Sequence, residues 1–299
     1  MGIEVLWNPE PIIAVQRFFG ASWGWFFETI SLLGTAKAMA LVFALAFWIS
    51  GRQLAYGLLG VVLLATVTDV LIWTLFPVQR PHDPQIIIRA KPGVPSFPSG
   101  HTVTTTTLWG TLTAFGRIPI VASISIVAGV MLSRLYLGVH YLVDVLAGVL
   151  IGLILVVAYQ RLWPVILRWF SGRPFRVFLI LGLCAPVAVF PFTTFSPRGW
   201  EIFGAALGIG IGMPLEYWYV HYTPAKISLP KQVLKLVIGL GGLAAIAFVP
   251  RFIGGNELAL EAITFALASL WIVFLAPMVF ARMGLSETGL TQRFPQSPH

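Results

Sequence analysis

Charge is what this chain has least of. Of its 299 residues only 10% are Asp, Glu, Lys or Arg, against 58% hydrophobic, and the mean hydropathy is +0.88. A soluble domain carries roughly 25% charged residues, so the composition excludes an ordinary water-facing surface and is that of an integral membrane protein. Cysteine is almost missing too. The single Cys184 excludes an intramolecular disulfide and any Cys-based zinc site, and it reads as a small apolar filler within a span. The amino-terminal region has Glu4 and Glu10 where a secretory signal carries positive charge, so insertion is expected to rest on the spans themselves. Acidic residues number 11 against 19 Lys and Arg, a formal charge of +8. Such an excess usually suggests anionic partners. Here many of the cations fall in short stretches between apolar runs, so the bilayer is the expected partner and nucleic acid is not.

What is abundant is apolar sequence in helix-length runs. Residues 9–33 mix Trp23, Trp25, Phe26 and Phe27 with Gln16, Arg17 and Glu28, the pattern of an interfacial or re-entrant helix. Runs follow at about 36–50, 54–76, 101–116, 118–136, 140–163, 177–196, 200–220, 232–250 and 258–281. Lipid leaves no partner for unpaired backbone, so these are expected to be helices, giving an all-α polytopic protein of about nine spans. Residues 161–176, with Arg161, Arg168, Arg173, Arg176, Pro164 and Pro174, read as a loop dividing the chain. The polar tail after Arg282 reads as disordered. With nine spans, Arg17, Lys37, Arg80, Arg89, Lys91, Arg134, Arg198 and Arg251 fall on one side and the other 11 Lys and Arg on the opposite side. Four of those eight (Arg80, Arg89, Lys91, Arg134) lie in the polar stretch described next. Setting them aside leaves a split of 11 against 4, which puts that stretch on the non-cytoplasmic face of an inner or plasma membrane.

That stretch runs from Arg80 to Asp144. Ionisable groups at membrane depth are costly and tend to mark function. His140 and Asp144 are spaced i, i+4, so on a helix they share a face. The carboxylate can then accept from one imidazole nitrogen and leave the other as nucleophile or base. Arg134, six residues earlier, has the planar fork that suits phosphate oxygens. Ser99, Gly100 and His101 open a helix, where backbone N–H groups bind anions and Gly100 admits close approach. Arg80, before Pro81, adds a second guanidinium. Together these residues make an anion cage with one nucleophilic histidine and a second as proton donor, the set that phosphoryl transfer requires. His82, Asp83, His101 and His140 are conceivable metal ligands, but two arginines and the want of further carboxylates argue against a cation there. No cofactor is expected. Asp69, inside the 54–76 run, needs a partner.

Pro98-Ser99-Gly100-His101, followed by Ser133-Arg134, His140 and Asp144, resembles the second and third motifs of the type 2 phosphatidic acid phosphatase (PAP2) superfamily over roughly residues 30–163. The resemblance implies a PAP2-like helical bundle in residues 1–165, with further transmembrane helices of unnamed role in 166–299. It implies a phosphatase acting on a lipid phosphate monoester or diphosphate, such as phosphatidate, phosphatidylglycerophosphate, a polyprenyl diphosphate or a sphingoid phosphate. His140 is implied as the nucleophile that forms a phosphohistidine, with Asp144 orienting it and His101 protonating the leaving oxygen, in a metal-independent reaction. Arg80, Arg134, Ser99 and Gly100 are implied as the phosphate cradle. In the family's first motif a lysine precedes Arg-Pro by seven positions; Trp73 stands there in this sequence. Arg89 and Lys91, in the same loop, are candidates to supply the missing cation. A glucose-6-phosphatase-like sugar phosphatase and a non-catalytic transporter or binder of anionic lipids are the alternatives. Oligomeric state is not specified by the sequence.

Overall fold

The structure, a computed structural model, describes residues 7–90, 93–170, 173–191, 197–248 and 256–288. It is helical apart from one two-residue antiparallel pairing among those residues. The helices are α1 (Glu10–Phe19), α2 (Gly24–Leu32), α3 (Ala36–Leu45), α4 (Arg52–Leu75), α5 (Gly100–Ala114), α6 (Ile120–Tyr136), α7 (Leu142–Phe170), α8 (Phe175–Val189), α9 (Pro197–Leu215), α10 (Leu229–Phe248), α11 (Glu257–Leu270) and α12 (Ala276–Arg282). Three π-helical turns, Ala46–Ser50, Glu216–Val220 and Trp271–Leu275, continue α3, α9 and α11.

Each apolar run of the sequence carries a helix, but the expected count of about nine spans is not reproduced. Among the described residues, four helical stretches are long and apolar enough to cross a bilayer: Arg52–Leu75, Leu142–Trp169, Leu229–Phe248 and Glu257–Arg282. Residues Ala21–Leu32 with Ala36–Ser50, bent by 52°, add a fifth if taken as one broken span. Helix α6 is apolar but has 17 residues, and α5 has 15 with seven threonines; a straight span needs about 20 apolar residues. Two further expectations are corrected. The chain stays helical from Arg161 through Pro164 to Phe170 rather than looping, because a proline removes one amide donor and Arg168 in the last turn suits the negative end of the helix dipole. The tail does not lose order at Arg282: β2 (Glu287–Thr288) pairs with β1 (Tyr222–Thr223). Residues 289–299 lie outside the described residues.

The chain divides into two compact units, residues 1–41 with 57–168, and residues 42–56 with 169–299. In the first, periodicity sets which face is buried. Leu58, Val61, Ala65 and Asp69 of α4 point inward while Leu63, Val67 and Leu71 are exposed, as 3.6 residues per turn requires. Helix α7 lies on α5 through small residues. A Cβ on Gly148 would stand 2.9 Å from Thr102 Cβ, and one on Gly152 2.6 Å from Thr106 Cβ. Between lipid-exposed helices this backbone-close packing replaces the hydrophobic effect as the attraction. It holds the amino-terminal ends of α5 and α7 side by side, where Ser99 N donates to Asp144 O at 3.1 Å.

The second unit uses the same device more severely. A Cβ on Gly204 would overlap the Ala262 carbonyl of α11, one on Gly208 the Ala266 carbonyl, and one on Gly182 the Gly210 carbonyl. Its polar centre gathers at the π turns. The Trp48 carbonyl accepts from the Tyr222 hydroxyl at 2.6 Å and from Lys235 Nζ at 3.0 Å, and Trp48 Nε1 donates to Ile272 O at 3.0 Å. Glu216, fully buried, accepts from Tyr222 N at 2.7 Å and pairs with Arg52 at 3.5 Å. Burial, and then the Glu216 charge, push the Tyr222 phenol far above its ordinary value, so its hydroxyl stays a donor. The packing yields a paired prediction. Gly204→Val forces apart backbones in direct contact and should destabilise this unit by about 3 kcal/mol or more. Gly241→Ala, at a helical position with nothing within 4 Å, should be neutral or stabilise by up to about 1 kcal/mol. Thermal unfolding of the detergent-solubilised variants checks both.

Candidate active site

Between α4 and α5 lie 24 residues, none of the described ones helical. Pro77, Pro81, Pro84, Pro95 and Pro98 deny it amide donors, so side chains hold it. Gln16 of α1 does most of this. Its Nε2 donates to Ile87 O and to Tyr136 O, both at 2.8 Å, and its Oε1 accepts from Ile87 N at 3.0 Å. Arg89 N donates to Leu137 O at 3.0 Å. Beside it Gly138 has φ +69°, and a Cβ there would meet the Ile87 carbonyl at 2.7 Å, so this turn requires glycine.

Arg80 is the centre of the fixed loop. Its Nε donates to Val94 O at 2.8 Å, its NH2 to Pro95 O at 3.1 Å, and its NH1 to Val139 O at 2.6 Å. The same NH1 lies 3.2 Å from His140 Nε2. On its other side His140 Nδ1 lies 2.9 Å from the Ser96 carbonyl. A guanidinium can only donate and a carbonyl can only accept, so these two contacts fix one neutral tautomer. The proton sits on Nδ1, and the Nε2 lone pair faces Arg80.

The expected helical face shared by His140 and Asp144 is corrected here. Helix α6 ends at Tyr136 and α7 begins at Leu142, so His140 lies in the connection and only Asp144 is helical. Asp144 is the third residue of α7, and its Oδ2 reaches back to Tyr141 N at 2.8 Å, the carboxylate half of a capping box. Its Oδ2 also accepts from Ser96 Oγ at 2.5 Å. From His140 Nδ1 it stands 3.6 Å away, too far for a hydrogen bond though close in charge. Burial, together with the Asp144 and Asp83 carboxylates, raises the neighbouring Tyr141 phenol.

Ser99 precedes α5 in extended conformation, its N–H taken by Asp144 O and its hydroxyl accepting from Thr102 Oγ1 at 3.1 Å. Gly100 is required by α4 itself: a Cβ there would lie 2.8 Å from the Trp73 ring and 3.1 Å from Asp69 Oδ2. Trp73 Nε1 donates to Pro98 O at 3.0 Å, so at the lysine position the chain has a side chain that holds the loop into α5. His101 is buried against α2's end, where a Cβ on Gly34 would meet its ring at 2.8 Å. Arg134, buried near the end of α6, donates from NH1 to Ser31 Oγ at 2.6 Å. Arg89 is placed elsewhere than expected for a cage cation: its guanidinium lies over the Tyr136 ring at 5.3 Å, and Phe27 stacks on that ring at 4.3 Å. An arginine over an aromatic face gains attraction there. Lys91 lies outside the described residues. Those residues contain no group of three or more His, Cys, Asp or Glu able to hold a metal ion.

The structure thus brings Arg80, His140 and Asp144 together, sets Ser99 and Gly100 at the adjoining helix end, and adds two residues that sequence reasoning missed. Ser96 touches both His140 and Asp144; its signal was a lone serine between Pro95 and Phe97-Pro98, directly ahead of the Pro98–His101 run. Ser31, 103 positions from Arg134, has no signal in the sequence.

Residues 53–168 match the PAP2 superfamily, and residues 200–288 match the PAP2 superfamily phosphatase transmembrane extension. Sphingosine-1-phosphate phosphatase 1 of Rattus norvegicus and that of Mus musculus are each 31% identical over 126 residues, 40% of this chain and 29% of theirs. The matched part thus spans less than a third of the length of these relatives. No solved structure matches the chain. With Arg80 and Asp144 beside His140 and both family segments present in order, the chain belongs to the PAP2 superfamily.

Proposed function

We propose that the protein is a membrane-embedded phosphatase that hydrolyses a lipid phosphate monoester or diphosphate through a phosphohistidine at His140. The observation that carries this reading is the tautomer: Nδ1–H is held by Ser96 O, and the Nε2 lone pair is aimed at a fixed guanidinium. A phosphate that displaces this 3.2 Å contact meets a nucleophile on one side and a charge stabiliser on the other. In the first step an Nε2–P bond forms, the P–O bond to the lipid breaks, and His101 gives the leaving oxygen its proton. Arg80, Arg134 and the amino-terminal end of α5 at Ser99 and Gly100 hold the equatorial oxygens. In the second step water attacks phosphorus, its proton passes to His101, and the P–N bond breaks to release phosphate and neutral His140. Asp144 offsets the positive charge of the phosphorylated ring.

A lipid substrate is favoured by the membrane-spanning helices around the site and by relatives named for sphingosine 1-phosphate. Residues 1–165 form the catalytic part in this reading, and the shorter helices α5, α6 and α8, with α9, complete a set of nine spans. The 11-against-4 split of Lys and Arg puts the site on the non-cytoplasmic face.

Three predictions follow from these roles. Purified protein given phosphatidate, phosphatidylglycerophosphate, undecaprenyl diphosphate, sphingosine phosphate and glucose 6-phosphate should release inorganic phosphate from a lipid member of the panel, undiminished by EDTA. His140→Ala should abolish release, and a phosphorus radiolabel from the substrate should be trapped on the wild type and lost in the variant; turnover by the variant, or EDTA inactivation reversed by Mg²⁺, overturns the mechanism. Arg89→Ala should lower kcat by no more than a few-fold, because its guanidinium sits on Tyr136. Loss of a preorganised cage donor instead costs about 10²–10³ in rate, and a fall of that size, in Arg89→Ala or in Lys91→Ala measured beside it, would restore the substitute-cation role. For orientation, single cysteines at Gly93 and Ala114 in a Cys184→Ser background should label from outside intact cells at residue 93 and not at 114, with an impermeant maleimide as probe; the reverse pattern inverts the topology.

A further inference from the structure

Ser96 is fully buried, lies outside the matching motif residues, and uses three of its polar atoms at once. Its N–H donates to Val78 O at 2.8 Å, tying the loop before α5 to the segment that leads into Arg80. Its carbonyl accepts the Nδ1 proton of His140 at 2.9 Å. Its hydroxyl donates to Asp144 Oδ2 at 2.5 Å and stands 3.5 Å from His140 Nδ1. The carboxylate, at 3.6 Å from Nδ1, is outside hydrogen-bond reach of the imidazole. The group that touches the ring at Nδ1 is therefore a serine, and the aspartate reaches the ring through that serine's hydroxyl and through its charge.

We propose that Ser96 is the positioning residue of the nucleophile: its carbonyl sets the His140 tautomer, and its hydroxyl locks the Asp144 carboxylate beside, rather than on, the ring nitrogen. The inference rests on the phosphatase reading above. Its physical content is a division of labour. A backbone carbonyl on a loop pinned at both ends orients the ring without taking its proton. A carboxylate bonded directly to Nδ1 draws that proton and swings with its own rotamer. Held by Ser96 Oγ and Tyr141 N on one oxygen, Asp144 cannot make that swing, so Nε2 keeps its line toward the gap beside Arg80. Removal of the hydroxyl leaves Oδ2 with the single backbone donor and opens a path onto Nδ1. The ring then tilts with the carboxylate, and misplacement of a reacting atom by about 1 Å costs on the order of 10²-fold in rate.

The test uses Ser96→Ala, which deletes the hydroxyl, and Ser96→Cys, which keeps its volume but offers only a weak donor, so that one variant remains informative if the other misfolds. Both should lower kcat by about 10- to 100-fold with KM changed less than about three-fold, since residue 96 is fully buried and holds the ring from its Nδ1 side. In 15N-histidine-labelled protein the His140 Nδ1 resonance, assigned by its absence in His140→Ala, should move in both variants. The spectroscopic arm needs no turnover. If wild type hydrolyses no phosphate the functional reading fails, while the resonance still decides the contact. A kcat within two-fold of wild type, or a fall in kcat with the Nδ1 resonance unmoved, overturns the positioning role.

Discussion

A guanidinium out of bulk water must have its donors met by fixed acceptors, and the geometry of the candidate site descends from how Arg80 meets that demand. Three backbone carbonyls, of Val94, Pro95 and Val139, converge on it. Two come from the loop ahead of α5 and one from the connection between α6 and α7, so one side chain joins segments that are far apart in sequence. With Val139 placed, His140 follows as its neighbour, and the remaining NH1 contact falls on its Nε2. Proline enrichment explains why the loop's carbonyls point inward at a cation instead of forming a helix: a segment short of amide donors cannot satisfy its own acceptors.

The second determinant is the close approach of α5 and α7. Because Gly148 and Gly152 let α7 rest on Thr102 and Thr106, two helix amino-termini end beside one another, each presenting first-turn amides and the positive end of its dipole. Two such ends with Arg80 beside them favour an anion, and Asp144 as a capping carboxylate turns its Oδ2 to Tyr141 N and Ser96 Oγ rather than into the space between them. A carboxylate free in that space would repel a phosphate. The cap removes that conflict while leaving the charge close enough to act on the imidazole.

Most of the ionic parts were legible in the sequence because charge is so rare there: Arg80, Arg134, His101, His140 and Asp144 stand out against apolar runs, and the runs marked the helices to within a few residues. What was not legible depended on side chains of ordinary type. Ser96 is a serine among prolines, Ser31 a serine among leucines, and Gln16 a polar residue on an amphipathic helix. Each acquires its role from a partner between 40 and 120 positions away. The i, i+4 spacing of His140 and Asp144 misled because spacing reports a shared face only within a helix, and α7 starts between the two residues. Span number is legible only coarsely for a related reason. Hydrophobicity shows that a segment avoids water, whereas a straight crossing also needs length, and α5 and α6 are shorter than the four long apolar helices.

Trp73 shows how a motif position can change its chemistry while the surrounding geometry is kept. A lysine there would bring a flexible point charge with a large side-chain entropy to lose. The indole brings no charge, but it makes one directional bond to Pro98 O and packs on Gly100. It therefore stiffens the entry to α5, whose first amides face the candidate phosphate position. Electrostatic stabilisation depends on donors that are already oriented before charge develops, so rigidity at a helix end and an added cation act on the same quantity from different sides. The exchange also leaves the wall next to Gly100 more apolar, with Asp69 the neighbouring polar group. A phosphate attached to a hydrocarbon chain loses less from such a wall than a phosphate on a sugar, whose hydroxyls would have to be desolvated against the indole. In the proposed reading, the substitution that removes a charge from the cage thus favours, by the same physical step, the apolar class of phosphate ester.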